Sequence, residues 1–184
     1  NKSKIIECND NPYQTIDSGL FYEKILKKLK QNHKIKFMKD KNHLDLTNSL
    51  IFNSVAEITS SKGIWQHFGG IEIETETESF NENVLDLMDF DCMQSNEVHF
   101  FYILPYSRNS ALIETTWLSD MSNKSILDYE NQLKIYIEKK LQIKNYKIKF
   151  KEKGAIPLFY PDNTNKDNII NIGTAGKMTR LSTG

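Results

Sequence analysis

Hydrophobic and polar positions recur with two periods along this 184-residue chain. From Ser18 the period is helical: Leu20, Phe21, Ile25, Leu26 and Leu29 share one side, and Lys24, Lys27, Lys28 and Lys30 cover the rest. Asp17 or Ser18 is placed to cap that helix. A longer helix is predicted over 125–143, with Ile126, Tyr129, Leu133, Ile137 and Leu141 as its inner stripe. Period two governs 69–80, where Ile71, Ile73, Thr75 and Thr77 alternate with Glu72, Glu74, Glu76 and Glu78. Further strands are predicted at 4–7, 33–37, 49–55, 98–107, 111–119 and 146–154, and at the start of 168–184, with a polar turn at 39–43. The runs 98–107 and 111–119 are joined by a short polar connection and read as an antiparallel hairpin. Lys147, Lys149 and Lys151 form a face able to answer the glutamates of 72–78. The expected class is α+β: a mixed or antiparallel sheet with flanking helices, in one partial domain.

Lys plus Arg and Asp plus Glu are both 24, so the formal net charge is zero. That argues against a nucleic-acid partner, which usually calls for a basic excess. Cys8 and Cys92 are far apart and form no CxxC, so they read as reduced thiols. His33, His43, His67 and His99 make no HxxxH or HExxH pair, so no metal site is expected. No apolar run approaches the roughly 20 residues of a spanning helix, which restricts any membrane contact to the surface. The polar start without Met and the Gly-rich end read as a piece of a longer chain.

Four stretches carry candidate chemistry. In ALIETTWLS, Glu114 stands among β-formers that are apolar on both strand faces, sharing its own with Leu112, Thr116 and Leu118. If that face is buried, desolvation favours the protonated carboxyl, a general acid suited to an apolar substrate. The alternative is a carboxylate with a cationic or backbone partner, or one on an edge strand facing water. Trp65, His67 and Phe68 precede Gly69-Gly70, a pair that permits a bulge or close approach to a ligand. Asp86, Asp89 and Asp91 cluster around Met88 and Phe90 but lack the other ligands of a calcium loop. Gly173-Thr174-Ala175-Gly176 follows a strand and offers backbone N–H groups to a phosphate or flavin ring.

Taken in order, IWQHFGGIEIETE, LMDF, FFYILPYS, ALIETTWLS, GAIPL and IGTAGKMTR resemble a bacterial lycopene β-cyclase, from about residue 50 to the end and more loosely before it. The resemblance implies an FAD-dependent, hydroxylase-like flavoprotein that closes the ends of lycopene into β-ionone rings, giving γ-carotene and β-carotene. The implied reaction is redox-neutral yet requires reduced FAD, with NAD(P)H as an indirect electron source. It assigns Glu114 and Asp89 to catalysis, and Gly173, Thr174, Ala175, Gly176 and Met178 to the flavin. Trp65, Phe68, Gly69 and Trp117 fall to the substrate, with residues 50–160 on the substrate side and 168–184 returning to the flavin part. Thr115 stands where many relatives carry a second acid, Asp91 where they have Arg, and Lys177 where they have Gly. The implied setting is the cytoplasmic surface of the inner membrane, with other carotenoid enzymes as partners. Two further readings remain open: a related flavin monooxygenase acting on a lipid or aromatic substrate, and a non-catalytic binder of apolar ligands.

The family's GxGxxG βαβ unit lies outside these residues. The purified chain is therefore expected to retain little FAD and to leave lycopene uncyclised. Flavin absorbance after desalting checks this, and stoichiometric retention would contradict it.

Overall fold

The computed structural model describes residues 4–40, 48–58, 63–163 and 166–181. Part of the 39–43 turn, residues 164–165 and the final three residues lie outside them. The chain divides into two compact units, Asn1–Ser49 and Leu50–Gly184.

In the first unit, helix α1 spans Ser18–Gln31, and Asp17 caps it by accepting the Leu20 N–H at 2.9 Å. Lys28 and Lys30 lie in the last turn, where cations complement the helix dipole. No residue of α1 is buried. The strands expected at 4–7 and 33–37 do not form, and 33–34 instead make a turn. β-propensity alone cannot hold a strand whose backbone groups find no neighbour to pair with.

The second unit is built on a five-stranded antiparallel sheet in the order β3-β4-β5-β2-β6. Its strands are β2 (Trp65–Thr75), β3 (Asp86–Asp89), β4 (Val98–Ser107), β5 (Ser110–Ser119) and β6 (Tyr146–Pro157). A separate parallel pair joins β1 (Ile51–Asn53) to β7 (Ile169–Asn171). The expected hairpin is β4–β5, its connection reduced to Arg108 and Asn109. The carbonyls of these two residues accept N–H groups of Thr75, Ser79 and Phe80, tying the hairpin tip to the end of β2. The expected meeting of glutamate and lysine faces forms only in part, because Lys151 pairs with Ile71 and turns away from Glu72. β6 pairs with β2, and Lys149 reaches Glu74 at 3.2 Å, an exposed ion pair of little energetic weight.

One face of this sheet is a packed core. Ile71, Ile73, Phe101, Ile103, Ala111 and Ile113 meet Leu133, Tyr136 and Ile137. The predicted 125–143 helix is broken into a 3-10 turn (Lys124–Leu127), α2 (Tyr129–Ile135) and a π-helical turn (Tyr136–Lys140). The π turn inserts a residue into the 3.6 period and brings Tyr136 inward beside Ile137, where its ring stacks on Phe101 at 3.8 Å. Helix and sheet approach most closely at Gly69, where an added Cβ would stand 2.5 Å from Tyr129 Cβ. Beside that contact runs a buried polar network. Thr115 Oγ1 and Trp117 Nε1 both donate to Gln132 Oε1, at 2.8 and 2.9 Å, and Gln132 Nε2 donates to the Ile126 carbonyl. His99 stacks on Trp117, donates from Nδ1 to the Met93 carbonyl, and sets Nε2 2.7 Å from Thr115 Oγ1. Such a network fixes one docking geometry, because each shift of the helix strands a buried polar atom.

Gly69→Ala is expected to destabilise the protein by about 2–3 kcal/mol through overpacking against Tyr129. Urea denaturation reads this as a lower midpoint with an unchanged slope.

Candidate active site

Residues paired across an antiparallel ladder share a face, so register alone sorts the candidate side chains. Glu114 on β5 pairs with Tyr102 on β4 and with Gly70 on β2, and Gly70 pairs with Glu152 on β6. These positions form one row on the face opposite α2. Around the row on that face lie Phe68, Leu112, Thr116, Leu118, Phe100 and Leu104. Two positions there have no side chain. At Gly154 an added Cβ would lie 2.6 Å from Phe68 Cζ, and at Gly70 it would lie 3.1 Å from Glu152 Cγ and Oε1. The glycines let Phe68 and Glu152 lean over bare backbone instead of standing upright.

Glu114 is half-buried in this apolar setting, and burial pushes its carboxyl up to about 7. The hydrogen bond from Thr116 Oγ1 to Glu114 Oε1, at 2.6 Å, acts the other way, while the charge of Glu152 adds to the rise. Desolvation is the largest of these effects. Since Thr116 occupies Oε1, Oε2 is the oxygen left to carry a transferable proton. A carboxyl held near neutrality on an apolar surface can act as a general acid.

Asp89 lies on the other side of the sheet. It pairs with Phe101, and its Oδ2 accepts the Tyr136 hydroxyl at 2.5 Å beneath the helical segment. Burial first, then the Asp89 hydrogen bond, pushes the Tyr136 hydroxyl up, so it remains a donor. The structure therefore does not bring Glu114 and Asp89 together. Trp65, Gly69 and Trp117 also have the parity of the helix side. Trp117 is fully buried against His99 and Gln132, and Gly69 is filled by Tyr129. Trp65 packs edge-on to Phe159. Of the four expected substrate residues, Phe68 alone shares the Glu114 face. Two-residue alternation explains the split, since neighbours in sequence such as Phe68 and Gly69 point to opposite faces.

The glycine turn after β7 is closed on itself. Gly176 N–H donates to the Ile172 and Gly173 carbonyls, Lys177 N–H to Thr174, and Met178 N–H to Gly173. Gly176 is required by packing, because a Cβ there would meet the Asn171 carbonyl oxygen at 2.4 Å, and Ala175 is buried. Gly173, at φ +56°, has open space beside it, and Met178 is exposed. The outer edge of the turn, at Gly173 and Met178, is open to solvent. Lys177 also adopts a left-handed φ of 59°, a conformation that the glycine expected there would adopt without strain.

Sequence reasoning missed Glu152, Gly70 and Tyr102 as members of the Glu114 row. Glu152 is the one acid in a lysine-rich strand, a signal that was present. Its meaning depended on register. A cleft of about 490 Å³ at the far end of β2 and β6, lined by Glu74, Thr75, Glu76 and Tyr146, does not include Glu114. Among the described residues no group of three or more His, Cys, Asp and Glu is placed to hold a metal ion, and no helix is long and apolar enough to cross a membrane.

Fold and site together define an α+β protein that carries an acid among apolar residues on the face of an antiparallel sheet opposite α2. The chain belongs to the lycopene cyclase protein family, which it matches over residues 1–184. No curated protein matches it. Among solved structures it is similar to a geranylgeranyl bacteriochlorophyll reductase-like protein from Thermoplasma acidophilum, at 13% identity and a TM-score of 0.46. That similarity covers 66% of this chain and 29% of the other, so the chain spans less than a third of that protein's length.

His67 and Glu114 oppose each other in pH. Burial, reinforced by His99, lowers His67 to about 4, so its contribution to stability is lost as pH falls from about 6.5 through 4. Glu114 is raised, so stability is lost as pH rises from the ordinary carboxyl value of 4.5 through about 7. Glu114→Gln removes only the second effect. The variant is expected to gain on the wild type between pH 5 and 8 by on the order of 1–2 kcal/mol after allowance for partial exposure. Denaturant titrations at the two pH values check the difference.

Proposed function

We propose that this chain is the substrate-side portion of a lycopene β-cyclase. Residues 50–160 form the surface on which an end of lycopene or γ-carotene lies, and 168–184 lead back to the flavin part. The observation that carries the reading is Glu114, a carboxyl near neutrality on the apolar sheet face of a lycopene cyclase family member.

In this reading Glu114 Oε2 donates its proton to the terminal double bond of the polyene. The resulting tertiary cation is attacked by a nearby double bond, which forms the ring C–C bond. Loss of a proton from the adjacent ring carbon then leaves an isomer of the substrate. Most neighbouring side chains offer no nucleophile to the cation: Phe68, Leu112 and Leu118 are apolar, and the Thr116 hydroxyl is committed to Glu114. Phe68 and Tyr102 turn aromatic rings toward the same face, and ring faces attract cations. Asp89, bound to Tyr136 across the sheet, is a positioning residue for the β3 edge. Trp65, Gly69 and Trp117 hold the sheet against the helical layer that supports it.

Gly173, Thr174 and Met178 would hold the flavin edge, with Ala175 and Gly176 keeping the turn closed. When bound, a reduced FAD would supply negative charge able to stabilise a developing cation. NAD(P)H enters as an indirect reductant. Peripheral contact with the cytoplasmic surface of the inner membrane follows from the solubility of the substrate.

Expression of the full-length gene that encodes this chain, in a lycopene-accumulating host, is expected to turn the cells from red to orange-yellow. Glu114→Gln is expected to abolish the change, a loss of at least about 100-fold for removal of a general acid. NAD(P)H-dependent oxygen uptake with a gain in product mass would favour a monooxygenase instead. Carotenoid binding without ring formation, unaffected by Glu114→Gln, would favour a binding module.

A further inference from the structure

We propose that Glu152 is a positioning residue that sets the acid strength of Glu114 through its charge, across the side-chain-free gap at Gly70. The proposal rests on the reading of Glu114 as proton donor and names the group that tunes it.

Three geometric facts carry it. Glu114, Gly70 and Glu152 stand in one cross-strand row, so the two carboxyls are separated by one backbone and no side chain. Glu152 lies across that backbone, with Cγ and Oε1 both 3.1 Å from where a Gly70 Cβ would be. The lysines flanking it in sequence, Lys151 and Lys153, have the opposite parity, and Lys151 is engaged by Glu130 of α2 at 2.8 Å. On the Glu114 face the acid therefore meets another acid instead of a lysine. The other titratable groups turned to that face are Tyr102 on β4, in the same row, and Glu72 on β2, two paired positions along, opposite Leu112. Like charges this close disfavour ionisation of the more buried partner, here Glu114. The direction agrees with the contribution of Glu152 to the raised carboxyl.

A simpler role for Glu152 exists. β6 is an edge strand, and a charge on an edge discourages pairing with other chains. Edge protection would not change the titration of Glu114, and this separates the two roles.

The test is the titration of the Glu114 side-chain carboxyl by carbon-13 NMR on the full chain, its resonance identified by loss in Glu114→Gln. Glu152→Gln is expected to lower the midpoint by roughly one pH unit, and Glu152→Asp to restore part of the shift. Gly70→Ala, which must displace Glu152, is expected to lower it as well. An unchanged midpoint in a folded Glu152→Gln protein overturns the proposal. A shifted midpoint supports it even where Glu114→Gln leaves carotenoid conversion intact; that result would sink the proposed function and not the pairing. In the cyclising host, the alkaline limb of the pH–rate profile in lysates is expected to move down with the NMR midpoint in Glu152→Gln. A limb that stays in place while the midpoint shifts would overturn the role in catalysis.

Discussion

The docking of the helical segment on one face of the sheet is the constraint from which the rest follows. It is set by the missing side chain at Gly69, which admits Tyr129 to the backbone of β2, and by Gln132, which joins Thr115 and Trp117. Once that face is filled, alternation assigns every other strand residue to the opposite face. Glu114, Tyr102, Phe68 and Glu152 come together because none of them belongs to the helix side.

The two faces treat polar groups in opposite ways. On the helix side His67, His99, Thr115 and Trp117 are buried with hydrogen-bond partners, which makes the core rigid and its geometry unique. His67, for example, lies between the Tyr129 hydroxyl at 2.6 Å and Ser119 Oγ at 2.7 Å. On the opposite face Glu114 accepts a hydrogen bond from Thr116 and has apolar neighbours and a like charge. That setting is poor for stability above neutral pH and suited to proton donation. The cost of holding an acid in its neutral form falls on the folded state, which is a recurrent arrangement at catalytic sites.

Much of the fold was legible from residue order. The β4–β5 hairpin, the Asp17 cap, the period-two character of β2 and its pairing with the lysine-rich β6 all follow from local pattern. Where local pattern failed, the reason is specific. Ile5, Ile6, Ile35 and Phe37 have β character without a partner strand, and Tyr136 is turned inward by a π insertion that a uniform 3.6 period does not contain. The site was half legible. The isolation of Glu114 among β-formers is visible in one dimension, and the family resemblance pointed to the same carboxyl.

By itself, the order of residues determined which segments alternate, which glycines stand beside aromatics, and that a single acid interrupts an apolar strand, because these depend on neighbours along the chain. Only the tertiary structure decided which face the helix covers. It thereby separated Asp89, Trp65, Gly69 and Trp117 from Glu114, and brought Glu152 to it across Gly70. The physical reason is that a strand offers two equivalent faces, and the choice between them is made by packing partners remote in sequence.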